Sequence, residues 1–282
     1  MRAFRTRFGV RALIAAVGLC ALLFWALRVS RDSRPEYLYA GWLRGGDAER
    51  RLQAAQELGG LEAETGVVVP ALVGAMLNDK DAAVRRRSAV SLTNVAVKRN
   101  DAATTAAAAA AFVQALGDAD ASVRAAAADG IGRVQPEPDA VVPALLRACG
   151  DEDEWVRGAS VAALGLVGRK AGVDRPEVRR AIASALVDPS RHVRELGIYA
   201  FLAASETSPG LSRALLTDGD VRTRRAAAAA LARSGPAASA VASELTAALK
   251  DEDASVRDAA ARALGMIGPE GPAVPPAEPS PR

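Results

Sequence analysis

The chain has 282 residues, with 36 Lys and Arg against 33 Asp and Glu and a net charge of +3, a length of one or two ordinary domains. Sixty-five residues are Ala, eleven are aromatic and one is His, which favours helix because Ala loses no side-chain entropy there and excludes sites built on several imidazoles. Two Cys, at positions 20 and 149, cannot frame a disulfide-stapled domain.

Residues 1–11 form a basic tail with Arg2, Arg5, Arg7 and Arg11. An apolar run without charge follows from Ala12 to Leu27, and Arg28, Arg31 and Arg34 close it. As a helix it rises about 24 Å, short of a ~30 Å hydrocarbon core but extendable by snorkelling of Arg11 and Arg28. A cleaved signal peptide is the rival, but Trp25-Ala26-Leu27-Arg28-Val29-Ser30 matches an A-x-A exit poorly. Leu19 likewise argues against lipidation of Cys20. The expectation is an uncleaved transmembrane signal anchor over 12–28. Four Arg and the amino terminus precede the run and three Arg follow it, so the positive-inside rule keeps the N-terminus cytoplasmic and places the rest outside.

After the anchor one unit recurs seven times. With Asp251 to Gly268 as template, Val-Arg falls at 84/85, 123/124, 156/157, 193/194 and 256/257, with Arg50-Arg51 and Thr223-Arg224 in the same frame. The steps are 34, 39, 33, 37, 30 and 33 residues. Arg51, Arg85, Arg124, Arg157, Arg194, Arg224 and Arg257 occupy one position; Asp47, Asp81, Asp120, Asp153, Asp220 and Asp253 occupy another.

Each unit reads as two helices. Val156, Ala159, Ala163, Leu164 and Val167 form an apolar stripe at helical spacing. Asp153 is placed to cap its start, and Gly168 to stop it in a left-handed cap. A second apolar segment precedes this helix, as at Thr104–Leu116, Val141–Cys149, Val178–Val187 and Ala237–Leu249, with Pro70, Pro143, Pro176 and Pro236 near the starts of such segments. Helix A, an acidic turn and helix B therefore make one copy.

The frame D-x-D-x-x-V-R-x-x-A-x-x-A-L-G-x-I-G resembles the short HEAT-like repeats also found in phycobilisome-lyase subunits, over residues 36–268. The resemblance implies an all-α, right-handed α-solenoid of about seven two-helix repeats with B helices on the concave side; the transmembrane helix expected from the apolar run precedes it. Ankyrin and tetratricopeptide arrays have similar periods, but neither T-P-L-H nor W-x2-L-G-x2-Y occurs.

Residues present in every copy answer a need that every copy has. The repeated Asp are expected to cap the B helices, and the repeated Arg to bond carboxylates or carbonyls of the adjoining turn. Function is expected where copies differ. Counting Val of Val-Arg as zero, positions −1, +2, +5, +6 and +9 project away from the core stripe. Copies four and five carry Trp155, Val161, His192, Ile198, Tyr199 and Leu202 there, a candidate protein-binding patch. The alternative is local repacking around an off-consensus copy. Arg85-Arg86-Arg87 and Arg222, Arg224 and Arg225 read as solvated faces.

Catalytic readings find little support. Any Ser-His-Asp or Cys-His arrangement must recruit His192, and no G-x-S-x-G elbow exists. Cys149 falls on the apolar stripe of its helix and reads as core. Asp151-Glu152-Asp153-Glu154 lacks the Gly and Glu of an EF-hand loop, and no Gly-rich phosphate loop appears. No cofactor, metal or small-molecule substrate is expected. Residues 1–34 carry +6, leaving the other 248 at −3, which removes the charge argument for nucleic acid. Residues 269–282 form a Pro-rich tail expected to be extended and disordered. The Arg and Ala bias suggests a GC-rich bacterial genome. The functional expectation is a membrane-tethered scaffold that binds another protein and has no catalysis of its own; the alternative is an accessory subunit of an enzyme system, such as a lyase-like chromophore or protein modification factor.

Overall fold

A computed structural model of the chain describes residues 34–61, 65–171, 175–205 and 209–267. The basic tail 1–11, the expected anchor 12–28 and the Pro-rich tail 269–282 lie outside the described residues. No described helix is long and apolar enough to cross a membrane.

Among the described residues there are α-helices, one 3-10 helix and no strand. The helices pair as the sequence frame requires. The outer, or A, helices are α1 (Pro35–Gly45), α3 (Thr65–Asn78), α5 (Ala102–Ala115), α7 (Pro138–Ala148), α9 (Pro176–Leu186), α11 (Pro209–Leu216) and α13 (Ala242–Ala248). The B helices are α2 (Ala48–Gly60), α4 (Ala82–Arg99), α6 (Ala121–Val134), α8 (Glu154–Ala171), α10 (Arg191–Ser205), α12 (Val221–Ser234) and α14 (Ala254–Ile267). Each B helix packs on its own A helix, and at most junctions it packs closely on the next B helix, whereas successive A helices meet only slightly. The more tightly spaced row is the inner side of a curved stack, so the B helices line the concave face of an α-solenoid.

The stack exists because no single pair can cover its own apolar face. One continuous core runs through the copies, with Leu58, Leu92, Ile131, Leu164 and Leu231 at equivalent places on the B helices. Small residues set the spacing between rows. A Cβ on Gly165 of α8 would stand 2.5 Å from Ala200 Cα, and one on Gly132 of α6 would stand 3.0 Å from Ala163 Cα. The B helices therefore meet nearly backbone to backbone.

Helix starts follow the expectation. Asp47, Asp81, Asp120 and Asp220 each accept a backbone N–H from the first turn of their B helix, at 2.8–2.9 Å. Asp153 caps Trp155 N–H and Val156 N–H, and Asp253 caps Ser255 N–H and Val256 N–H.

Helix ends and outer helices depart from it. Gly168 does not stop α8, which continues to Ala171; Gly168 is buried inside the helix instead. The left-handed caps are Asn100 after α4 and Gln135 after α6, at φ 49° and 48°. Pro70 and Pro143 lie inside α3 and α7 rather than at their starts. Both face solvent, where water can take the carbonyl that a Pro leaves unbonded. The outer segment of copy seven is not a single α-helix: Gly235, at φ 54°, leads into a 3-10 turn over Gly235–Val241 before α13.

Candidate functional site

Two constellations come from the repeat frame, one holding the copies together and one on the concave face. In the first, the repeated Arg reaches across a junction. Arg124 donates from Nε and Nη2 to both carboxylate oxygens of Asp151, each at 2.8 Å, while Nη1 donates to the Asp118 and Ala119 carbonyls. Asp151 sits in the A–B turn of the next copy. The same fork joins Arg51 to Asp79, Arg85 to Asp118, Arg157 to Asp188 and Arg224 to Asp251. Each guanidinium thus bonds carbonyls of its own turn and a carboxylate of the following one.

Each of these carboxylates also accepts the N–H two residues on, as Asp151 does from Asp153 at 2.9 Å. The Arg124 hydrogen bond, set against partial burial and helped by the Asp153 N–H, holds the Asp151 carboxyl below the usual range. The Arg224 hydrogen bond does the same for Asp251. Asp79, Asp118, Asp151, Asp188 and Asp251 were absent from the sequence-derived set. Their signal was the first Asp of D-x-D, which recurs in frame as regularly as the cap. Of the two Arg runs, Arg85 and Arg224 belong to this clamp and only Arg86, Arg87, Arg222 and Arg225 face solvent.

Arg194 and Arg257 are the exceptions. Arg194 donates to the Asp188 and Pro189 carbonyls at 2.7 and 2.8 Å, and Arg257 to those of Asp251 and Glu252. Neither forms an ion pair among the described residues. Arg257 has no copy after it, whereas Arg194 is followed by copy six.

The second constellation is aromatic. The Asp153 cap fixes the first turn of α8 and with it Trp155, which is 58% exposed. Its indole stacks on the His192 ring at the start of α10, with centroids 4.1 Å apart and planes at 45°. Gly158 permits this approach: a Cβ there would lie 2.7 Å from Leu196 Cδ1 and 3.2 Å from His192 Nε2. The stack forms one wall of a concave groove of about 610 Å³ whose other walls include Arg86, Ser122 and Asp129. Opposite charges from copies two and three therefore face the aromatic wall.

The six sequence-derived patch residues separate. Trp155 and His192 come together. Tyr199, 49% exposed, lies two turns along α10 and does not line the groove. Ile198 and Leu202 are half-buried against the core. Val161 is a correction: at 1% exposure it belongs to the core, because the flanking B helices cover a position that looks outward on an isolated helix. Arg86, which the sequence places on a solvated face, and Ser122 and Asp129 occupy the same outward positions of copies two and three, without the bulk that marks Trp155.

Cys149 follows α7, half-buried against the core, and burial pushes its thiol up to about 12. No group of three or more His, Cys, Asp or Glu placed to hold a metal ion occurs among the described residues. A larger cleft of about 900 Å³ between α1 and α3 is lined by Pro70, Gly74, Tyr37 and Asn78 and includes Arg51 and Asp79, the two members of the first fork.

A family model for HEAT repeats matches residues 109–200 and 208–277, more than half of the chain. Copies one and two fall outside that match but carry the same Arg–Asp fork. Among solved structures, the Escherichia coli protein YibA is similar at 21% identity and a TM-score of 0.53, over 84% of this chain and 83% of that one. The complex of CpcE and CpcF of phycocyanin lyase from Nostoc sp. PCC7120 is similar at 22% identity and a TM-score of 0.49, over 83% and 93% of the two chains. An engineered protein covers 85% of this chain and 69% of its own at 20% identity, with a TM-score of 0.49. No curated protein matches this chain.

Proposed function

The chain belongs to the HEAT-repeat family, and from that premise we propose that it is a membrane-tethered scaffold that docks another protein on the concave face of its solenoid and has no catalysis of its own. One observation carries the reading: Trp155 stands 58% exposed on a row of B helices whose equivalent positions elsewhere are Glu, Ala, Ser, His and Arg. A large amphipathic ring held rigid by a helix cap and a stacked imidazole is the kind of side chain that anchors protein interfaces. The concave face of a helix-pair stack supplies an extended surface around it. Arg86 and Asp129 add a polar rim of both signs.

Co-purification of the full-length protein from detergent extracts, followed by mass spectrometry, tests this reading. A stoichiometric protein partner is expected. A bound chromophore or covalent small molecule without a protein partner would contradict it and favour the accessory-subunit alternative.

The tether is proposed from the apolar run 12–27 and its Arg flanks. The proposed topology keeps the N-terminus cytoplasmic and the repeats outside. Alkaline phosphatase fused to the C-terminus should be active and green fluorescent protein there dark. The reverse pattern would contradict the topology, and equal recovery in the soluble fraction would contradict the tether.

A further inference from the structure

We propose that the junction between copies five and six is a hinge, and that Arg194 and Asp218 are the two halves of a latch that closes it. Four observations on this junction agree, and none depends on what the protein binds.

The first is the missing fork. Among the described residues, five junctions carry an Arg–carboxylate ion pair and the junction of α10 with α12 carries none. Both members are nonetheless present and in frame. Arg194 already bonds the carbonyls of its own turn, as every clamping Arg does. Asp218 already accepts Asp220 N–H at 2.9 Å, as every clamping Asp does. Each half is preset in the geometry of a clamp, yet no ion pair joins the two among the described residues.

The second is packing. α10 and α12 share far less contact than any other pair of consecutive B helices, and α12 instead also leans on α9, the outer helix of copy five. The third is steric. Where B helices cross, position +9 of one copy meets position +7 of the next: Gly59 on Ser91, Thr93 on Gly130, Gly132 on Ala163, Gly165 on Ala200. Each of these four crossings has a Gly, and the sixth pairs Ala232 with Ala263. The equivalent pair at the fifth junction is Leu202 with Ala230, so an isobutyl group stands where the others have room for none or for a small side chain.

The fourth is exposure. Position +5 is buried in copies one to four and six, as Ala55, Ala89, Ala128, Val161 and Ala228. It is half-buried only as Ile198 in copy five and Ala261 in copy seven, the last. On its C-terminal side copy five is thus exposed like an array end, although copy six follows. Closing the junction would cover Ile198 and Leu202 and form the sixth fork. The open form leaves part of α10 uncovered beside Tyr199, so closure would change the surface next to the docking groove. That last link rests on the docking reading; the hinge does not.

Single-molecule energy transfer on the full-length protein in detergent tests the hinge. Dyes at Glu195→Cys and Arg262→Cys span copies five to seven, across the unlatched junction and one clamped one. A control pair at Gln56→Cys and Asp129→Cys spans copies one to three, across two clamped junctions. Cys20→Ala removes one native thiol, and the Cys149 thiol, pushed up to about 12, stays protonated at labelling pH. The copy-five-to-seven distance should be more broadly distributed than the control. Leu202→Ala, which reproduces the small residue Ala232 of the next crossing, should narrow it and shorten its mean. Adding Asp218→Asn to that variant should lower the closed-to-open ratio roughly five-fold or more, the effect expected of losing one favourable ion pair. A copy-five-to-seven distribution as narrow as the control would overturn the hinge, as would a Leu202→Ala protein with a normal melting curve and an unchanged spread. A closed fraction indifferent to Asp218→Asn would overturn the latch. Should Leu202→Ala melt early, Asp218→Asn alone decides: it should deplete the short-distance fraction of the otherwise unchanged protein, and an undiminished fraction refutes the latch.

Discussion

Arg124→Met keeps the aliphatic stem of a side chain that is 11% exposed and deletes the fork that holds Asp151, itself 13% exposed. Four hydrogen bonds are lost: two charge-assisted bonds of 2.8 Å to Asp151, and those from Nη1 to the Asp118 and Ala119 carbonyls. It also leaves a largely buried carboxylate with only the Asp153 N–H. An exposed pair contributes at most about 1 kcal/mol and removing one partner of a fully buried pair costs about 3–5 kcal/mol, so a pair at the edge of the core should cost about 2–3 kcal/mol. Asp151→Asn should cost somewhat less, because the amide oxygen still accepts the Asp153 N–H. The double variant should be less destabilised than the sum of the two singles, since it no longer leaves a charge unpaired. Urea melts followed by circular dichroism, assembled into a double-mutant cycle, read the coupling directly. Strictly additive single costs would refute the clamp as the element that joins copies three and four.

The clamp also fixes a pH dependence. The Asp151 and Asp251 carboxyls are held below their ordinary values in the folded chain by Arg124 and Arg224. Their contribution is therefore complete above the unfolded Asp value of about 3.9 and is lost as the pH falls through the lower folded value. Thermal melts of the wild type should lose midpoint temperature below about pH 4, and Arg124→Met should show a shallower loss; parallel curves would contradict the assignment. Ser88 and Ser160 bury hydroxyls without a hydrogen-bond partner at the place where copies one, three, six and seven have Ala. Ser88→Ala and Ser160→Ala should each stabilise by about 1 kcal/mol, raising the melting midpoint by roughly 2–4 °C in an array of this size. Gly165→Ala should cost about 1–3 kcal/mol because its Cβ would meet the Ala200 backbone. Gly74→Ala, with open space around it, should instead gain up to about 1 kcal/mol of helix propensity.

What the sequence made legible follows the range of each interaction. Copy number, the A–B pairing and the six Asp caps are local: Asp153 and the N–H groups it accepts lie within three residues, so a single frame exposes them. The fork is not local. Arg124 finds Asp151 27 residues away, in the next copy, and no periodicity within one copy names that partner. Val161 failed for the same reason, since a helical wheel knows nothing of the helices packed beside it. Gly168 failed because a small residue inside a close-packed stack serves spacing as readily as it serves termination. The Trp155–His192 stack was half visible: both residues stood out by bulk, but only the close approach at Gly158 puts one ring on the other. The loose fifth junction left two traces, the 30-residue step and Leu202, and both gain meaning only once the other crossings are seen to carry a Gly or a pair of Ala.

Docking on the concave face is tested most directly by comparing the partner recovered with wild-type protein and with Trp155→Ala/Tyr199→Ala, one residue in the groove and one two turns along α10 from it. Both side chains are at least 49% exposed, so the double variant should melt like the wild type. With folding unchanged, the co-purifying protein should be lost, while Arg213→Ala on the outer helix α11 retains it. Undiminished recovery with Trp155→Ala/Tyr199→Ala, at an unaltered melting curve, would contradict docking on the concave face.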